Sequence, residues 1–153
     1  MTVFTRRAAL LAAAVSLAAP RMAFAAAPSI TVHKDPNCGC CGGWVEHLRA
    51  SGFTAQVIET AEVNRVKARL GVPGDLAACH TAEIGGYVIE GHVPADAITK
   101  LLAARPNVRG LAVPGMPAGS PGMGGDPETY DVIAFEVGGK TRVFGRYRGA
   151  DAI

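Results

Sequence analysis

This chain of 153 residues has little of what several large functional classes need. Its glycine-rich stretch from 115 to 125 contains no lysine, so it does not form a nucleotide-binding phosphate loop. No serine stands in the glycine-flanked motif of the α/β-hydrolases. The glutamates are scattered, with no spacing that pairs two for acid–base catalysis: Glu46, Glu59, Glu83 and Glu90. With these classes of site excluded, the sulfur-containing residues are the strongest candidates for a functional site.

A long apolar run is missing as well. Arg6-Arg7 precede a short apolar run, Ala8 to Ala19, which Pro20 interrupts too soon for a stable membrane span. Ala23-Phe24-Ala25 fits a small-x-small cleavage site. We therefore predict a signal peptide at 1–25, a periplasmic location and no stable membrane insertion. The arginine pair also fits a twin-arginine export signal, although the phenylalanine usual after it is missing.

Charge gives no sign of a nucleic-acid partner. The segment 1–25 carries three arginines and no acidic residue, so its removal changes the formal net charge from +2 to −1. The rest of the chain then lacks the basic patch that nucleic-acid-binding proteins carry. Its length, about 128 residues, suits one small domain, which we expect to be a monomer.

Three of the four cysteines, Cys38, Cys40 and Cys41, fall within four consecutive positions. An apolar, β-branched run precedes them and a helical pattern follows, so the thiols are predicted at the start of a helix. The positive end of a helix dipole favours thiolates, which bind soft metals and attack disulfides. Two structural disulfides fit this spacing poorly. Cys38 and Cys41 form a CxxC that can close as a redox disulfide, which makes them candidate catalytic residues.

Apolar periodicity and turn signals predict an α/β fold. The expected order is strand, helix, strand, helix, hairpin and helix, over these segments: 30–33, 42–50, 53–58, a helix with Val63, Val66 and Leu70, a hairpin turning at Gly85-Gly86, and a helix opened by Pro94. Strands joined by helices pair in parallel, and a hairpin adds an antiparallel pair. With a dithiol at the first strand–helix junction, this order resembles the thioredoxin-like fold, over residues 26–104.

In a thioredoxin-like fold, Cys79-His80-Thr81 would begin the strand whose entry loop faces the first helix. Thioredoxins place a cis-proline there, but this chain has no proline between residues 74 and 94. The difference weakens an ordinary disulfide-exchange interpretation. It also predicts a fourth sulfur opposite the other three.

Residues 105–153 are predicted to be a C-terminal extension that contributes to the metal site. The part from 105 to 127 is rich in glycine and proline, so we expect a loop without lasting regular structure. Segments 131–137 and 141–147 then predict a hairpin across Gly138-Gly139.

Met116 and Met123 are the only methionines beyond the predicted signal, and each follows a Pro-Gly pair in this loop. Thioethers and thiolates together favour Cu(I), although loop methionines can also simply pack on a core. His80 and His92 are candidate imidazole ligands beside the thiols, His33 is a weaker one, and His47 is expected to be a solvated surface residue.

Two metals compete for this donor set. Cys38, Cys41, Cys79 and a histidine could form a closed zinc site. Such a site has no use for Cys40 or for the methionines. Thiolates that bridge more than one copper ion explain the surplus of sulfur better. We therefore predict copper, in a multinuclear thiolate-bridged cluster.

The chain resembles the CopG-type copper-resistance family, many members of which are known only as a metal-binding domain of unknown function. The resemblance runs from about Ile30 to Tyr147 and rests on five segments, the first of which contains a CxCC motif: Asp35 to Trp44, Cys79 to Thr81, Tyr87 to Pro94, Gly110 to Pro117, and Ser120 to Met123. It implies an exported thioredoxin-like protein of copper tolerance that could interconvert Cu(I) and Cu(II). Its implied copper ligands are Cys38, Cys40, Cys41, Cys79, His80, His92, Met116 and Met123.

Three functions share these residues. The first is a periplasmic copper-binding protein, an oxidoreductase if it changes the oxidation state of copper. The second is a thiol–disulfide oxidoreductase that uses Cys38 and Cys41. The third is a metallochaperone that passes copper to a periplasmic efflux system or another chaperone without redox chemistry. The first and third need the same ligands and differ only in partners and rates.

Overall fold

A computed structural model describes residues 26–153, and the predicted signal peptide lies outside the described residues. Residues 26–153 form a mixed α/β fold with three α-helices and one eight-stranded sheet. The helices are α1 (Gly39–Ala50), α2 (Val63–Leu70) and α3 (Ala95–Ala104). The strands are β1 (Ser29–Lys34), β2 (Thr54–Glu59), β3 (His80–Ile84), β4 (Tyr87–Gly91), β5 (Gly110–Val113), β6 (Thr129–Phe135), β7 (Thr141–Arg148) and β8 (Asp151–Ala152).

The sheet has the order β2-β1-β3-β4-β5-β6-β7-β8. Two pairs that a helix connects, β1 with β2 and β4 with β5, are parallel, and the other pairs are antiparallel. A helical crossover returns the chain to the same end of the sheet, whereas a two-residue turn reverses it. The turn at Gly85 and Gly86 has positive φ at both residues, 55° and 89°, which suits a tight hairpin.

Helix α1 packs one face on the sheet. Cys41, Trp44, Val45 and Leu48 are its buried residues, and their spacing places them on one side of a helix. Trp44, Val45 and Leu48 join the main core with residues of β1, β4 and α3, among them Ile30, Ile89 and Leu101. The packing of this face fixes the start of α1 against the central strands.

Two findings differ from the sequence-based expectations. Helix α1 begins at Gly39 rather than Gly42, so Cys40 and Cys41 belong to its first turn. Strand β5 lies inside the segment expected to lack regular structure. It forms because it pairs with β4 and β6, and Leu111, Ala112 and Val113 are fully buried there. The strands after residue 105 thereby continue the sheet of the first part of the chain. Among residues 26–153, no helix is long and apolar enough to cross a membrane.

Candidate metal centre

The junction between β1 and α1 presents the CxCC motif. Asp35 shapes the turn, since its Oδ1 accepts a hydrogen bond from the Asn37 amide at 2.8 Å and its carbonyl accepts one from the Cys38 amide at 3.0 Å. Cys38 is the residue before the helix, and its extended backbone ends the turn. The three thiols therefore lie at the amino end of α1, as the sequence predicts.

Cys38 and Cys41 are joined by a disulfide with a Cα–Cα distance of 5.6 Å. Cys41 is fully buried, while Cys38 is partly exposed. In the described part of the chain, Cys40 and Cys79 are free thiols. Sγ of Cys40 lies 3.7 Å from Sγ of Cys38 and 3.9 Å from Sγ of Cys79. The four sulfur atoms all lie within 4.8 Å of one another, which brings together the four cysteines predicted as ligands.

A second group overlaps the first at Cys79. Ligand atoms of Cys79, His80 and His92 also lie within 4.8 Å of one another, and both imidazoles are fully buried. Sγ of Cys79 is 3.2 Å from Nδ1 of His80 and 3.1 Å from Nε2 of His92. Nε2 of His80 has no hydrogen-bond partner among residues 26–153. Nδ1 is the nitrogen of His80 that faces the Cys79 sulfur, so it is the atom placed to bind a metal together with that sulfur.

The tautomer of His92 follows from its neighbours. Nδ1 lies 2.6 Å from the carbonyl oxygen of Pro121, and a carbonyl can only accept. Nδ1 therefore carries the proton, and the lone pair on Nε2 faces the sulfur of Cys79. Metal-binding histidines commonly donate their second nitrogen to a carbonyl in this way.

The protonation states at the site reflect burial. Burial, and then the neighbouring Cys40 sulfur, raise the pKa of the Cys79 thiol to about 12. Burial, with the positive charges of His92 and Lys67, lowers the pKa of His80 to about 3. Burial also lowers the pKa of His92. The metal-free site at neutral pH therefore holds a protonated Cys79 thiol and two neutral imidazoles, which are ready to bind a metal once the thiol gives up its proton.

The loop between β5 and β6 lies against the start of α1. Gly122 has a φ of 89°, and a Cβ there would come within 2.4 Å of the Trp44 amide nitrogen and 2.9 Å of the Cys40 carbonyl oxygen. Only glycine permits both the backbone conformation and this close approach. Together with the contact between Pro121 and His92, this packing fixes the loop over the site.

Comparisons with known proteins identify the family of this chain. A family model described as "Protein of unknown function, DUF411" matches residues 76–123. Two solved structures of the copper resistance protein CopG, Form 1 and Form 2, are each 46% identical to this chain, with TM-scores of 0.73 and 0.74. Each match covers 78% of this chain, and 96% and 98% of the respective CopG chains. The chain belongs to the CopG copper-resistance family. Among curated proteins, none matches it.

In this CopG-family chain, the structure treats the two predicted methionine ligands differently. Met123 directly follows Gly122 and is partly buried, and its amide donates to the Ser120 carbonyl at 2.8 Å. Met116 is 42% exposed and has a φ of 47°. Met123 is thus tied to a segment that contacts α1, whereas Met116 lies on the open part of the loop. Their role as ligands stays a prediction.

Sequence reasoning missed an ion pair behind the site. Glu90 on β4 is fully buried, and its Oε1 accepts hydrogen bonds from Nζ of Lys67 at 2.5 Å and from the Ala78 amide at 2.6 Å. Burial raises the pKa of Glu90 above its usual range, against the opposing charge of Lys67. The pair connects α2 to the segment that ends at Cys79. The available signal was an acidic residue directly after the apolar run Tyr87-Val88-Ile89 in a predicted core strand.

The two remaining histidines have local partners. His33 is nearly buried, with Nε2 3.1 Å from the carboxylate of Glu83. His47 was expected at the solvated surface, but it is half-buried, and its Nε2 accepts a hydrogen bond from the Ala95 amide at 3.0 Å. The His47 contact connects α1 to the first turn of α3, a position where a helix leaves its amide groups without internal partners.

Proposed function

We propose that this chain is a periplasmic copper-binding protein of copper resistance, which takes copper ions as its substrate. The observation that carries the proposal is the convergence of four cysteine sulfurs and two imidazoles at one helix start. Membership of the CopG family supports copper rather than another soft metal. Export through the predicted signal peptide at 1–25 would bring the protein to the compartment where copper enters the cell envelope.

The donor set fits copper well. Thiolates and thioethers are soft ligands that favour Cu(I), and imidazole suits both Cu(I) and Cu(II). Four sulfurs and two imidazoles exceed the four ligands that one tetrahedral ion takes, so bridging thiolates would hold more than one copper ion. Cys38 and Cys41 must first be reduced, because a disulfide offers no thiolate. Nδ1 of His80 and Nε2 of His92, the nitrogens that face the Cys79 sulfur, then supply the nitrogen ligands, and Met116 and Met123 the thioethers.

Interconversion of Cu(I) and Cu(II) would extend this function. Closing the Cys38–Cys41 dithiol to a disulfide releases two electrons and two protons, which is enough to reduce two Cu(II) ions to Cu(I). The two protons pass to solvent, which the partly exposed Cys38 can reach. Trp44, which is fully buried, and the loop at Gly122 limit the access of water. Such burial tunes the redox potential of a bound metal.

An anaerobic Cu(I) titration of the reduced chain, against a competing chelator and with zinc in parallel, tests the proposal. We expect tight uptake of two or more copper ions per chain and much weaker binding of zinc. The oxidised chain is the matched control, and it should bind fewer ions because two sulfurs are tied in the disulfide. Failure of the reduced chain to bind copper tightly would remove copper as the substrate.

A second candidate function is favoured by the Cys38–Cys41 disulfide itself. A disulfide at a helix start, with one partly exposed and one buried sulfur, suits thiol–disulfide exchange with another protein. We infer a thioredoxin-like arrangement for residues 26–104, which supports this alternative, while the missing proline counts against it. Rapid exchange with glutathione that persists in a Cys79→Ser variant, together with weak copper binding, would favour this function over the first.

A further inference from the structure

We propose that Cys40 and Cys79 form a second redox-active pair, which exchanges disulfide bonds with Cys38–Cys41 through the sulfur of Cys40. The proposal goes beyond metal binding, because it concerns the metal-free chain. It assigns a covalent role to the two cysteines that the structure leaves as free thiols.

The sulfur atoms form a connected series. Cys41 is bonded to Cys38, Sγ of Cys38 lies 3.7 Å from Sγ of Cys40, and Sγ of Cys40 lies 3.9 Å from Sγ of Cys79. These separations are close to van der Waals contact between sulfur atoms. Cys40 and Cys79 are both partly exposed, so their side chains have room to rotate from this contact towards bonding distance.

Position along the chain favours this second pair. Cys40 cannot bond to Cys41 without a strained ring, and a bond to Cys38 two residues away is nearly as constrained, so it forms only as a short-lived intermediate of the exchange. Cys79 comes from a different segment, just before β3, and approaches Cys40 from across the site. Of the three other sulfurs, Cys79 thus offers Cys40 the least constrained disulfide.

The exchange is balanced in atoms and electrons. As a thiolate, Cys40 attacks Sγ of Cys38, so the Cys38–Cys40 bond forms, the Cys38–Cys41 bond breaks, and the electron pair leaves on Cys41. Cys79 then attacks Cys40, and its proton passes to the Cys41 thiolate released in the first step, whose sulfur lies within 4.8 Å. The Cys38–Cys40 bond breaks, the electron pair stays on Cys38, and the Cys40–Cys79 disulfide remains. No electron enters or leaves, so only the position of the disulfide changes.

A second disulfide needs an external oxidant. A small disulfide such as glutathione disulfide supplies it, and each new bond in the chain converts one glutathione disulfide into two glutathione thiols. The chain would then exist with four, two or no free thiols. These states offer four, two or no thiolates to a metal, so the redox state would set how many sulfur ligands are available.

Disulfide mapping of the reduced, metal-free chain tests this proposal. The chain is oxidised with graded glutathione disulfide, quenched with acid, alkylated, digested and analysed by mass spectrometry. In excess oxidant we expect the number of free thiols to fall from four to zero, with the Cys79 peptide joined to the peptide that contains Cys40. A Cys79 that stays alkylatable, carries glutathione or bonds to a second chain would overturn the second pair.

Two variants identify the bonded atoms. Cys38→Ser/Cys41→Ser leaves only Cys40 and Cys79, which should close one disulfide within the chain. Cys40→Ser is the matched control, and it should close Cys38–Cys41 and leave Cys79 alkylatable. A Cys79 that instead bonds to Cys38 or Cys41 in the control would contradict the assigned pair.

Oxidation of the wild-type chain to a single disulfide tests the exchange. We expect part of the population to link the CxCC peptide to Cys79 and the rest to hold Cys38–Cys41, with the ratio moving to a constant value over time. A single-disulfide chain that holds only Cys38–Cys41 would overturn the exchange. Since no metal is present, none of these outcomes depends on whether the chain binds copper.

Discussion

The two sides of the candidate metal centre are built in different ways. The cysteine side consists of regular elements: the start of α1 carries Cys38, Cys40 and Cys41, and Cys79 directly precedes β3. The methionine side is a loop that has no helix or strand between β5 and β6. That loop contacts the site through the Pro121 carbonyl and through Gly122.

This difference predicts different costs of change. Substitutions behind the cysteine side disturb buried packing and so affect the whole fold. Substitutions in the loop affect the closure of the site and its sulfur ligands, and they leave the sheet intact. If Met116 and Met123 are ligands as predicted, a site of this kind keeps its thiols in place and takes a separable second set of ligands from the loop.

The largest effect is expected from Lys67→Met, on the cysteine side. The change leaves the carboxylate of Glu90 fully buried without its partner, so we expect a loss of about 3 kcal/mol or more in the free energy of unfolding. Urea unfolding followed by circular dichroism measures it. Lys100→Met is the matched control, because it removes the exposed ion pair with Asp96 and should cost under about 0.5 kcal/mol. Equal losses in the two variants would contradict a special role for the buried pair.

Acid should destabilise the cysteine side next. His80 has a pKa of about 3 in the folded chain because it is buried, against an ordinary value near 6.5 when unfolded. Above pH 6.5 the His80 imidazole is neutral in both the folded and the unfolded chain. Between pH 6.5 and pH 3 it is protonated in the unfolded chain but stays neutral in the folded chain. Stability is therefore lost as the pH falls from about 6.5 towards 3, by about 3 kcal/mol at pH 4.

Unfolding curves at pH 7 and pH 4 for the wild type and for His80→Gln test this prediction. Glutamine does not titrate, so the variant should lose less stability between the two pH values. The comparison concerns the pH-dependent difference and not the absolute stability of the variant. An identical difference in both proteins would show that other groups cause the acid sensitivity.

On the loop side, Gly122→Ala should cost about 2 kcal/mol. The new Cβ would meet backbone atoms of Trp44 and Gly43, at 2.4 and 2.8 Å, and the residue has a φ of 89°. Gly124→Ala is the matched control, since its φ of 70° brings the same kind of backbone strain but nothing lies within 4 Å. We expect about 1 kcal/mol for the control. Equal values would mean that the loop does not need its close contact with α1.

The smallest effect is expected from Met123→Leu. Leucine keeps the apolar volume but lacks the thioether, so the fold should be unchanged while the Cu(I) dissociation constant rises about tenfold, or about 1.4 kcal/mol. Met116→Leu should weaken binding less, because Met116 is 42% exposed. Chelator competition measures both variants. If neither substitution changes the affinity, the methionines are not copper ligands; if Met116 matters more, the loop must rearrange to bind copper.

Much of the fold could be predicted because local signals coincide with the tertiary structure. The glycine pair at 85–86 forms the hairpin that its chemistry requires, and the spacing of Trp44 and Leu48 matches the buried face of α1. Strand β5 was missed because its signal is only three apolar residues beside glycine and proline. Its stability comes from β4 and β6 on either side, and pairing between distant segments leaves no local pattern.

The site, too, has parts with a local sequence signal and parts without one. Cysteine spacing was enough to place Cys38, Cys40 and Cys41 together. The predicted order of strands and helices then placed Cys79 opposite them, and the four sulfurs do lie together. The hydrogen bond between His92 and the Pro121 carbonyl was not predictable, because every residue has a carbonyl group and only the folded loop brings this one to the ring. The contact between Lys67 on α2 and Glu90 on β4 was likewise not predictable, because the two residues are 23 positions apart in the sequence.

Trp44 has a consequence for spectroscopy. It is the only tryptophan, its ring centroid lies 4.3 Å from that of His80, and its Nε1 donates to the Val93 carbonyl at 2.8 Å. Indole emission depends on the groups that touch the ring. An ion or a proton that arrives at His80 would therefore change the fluorescence of a single, fully buried chromophore. The chain thus carries its own optical reporter of the state of the site, with no label attached.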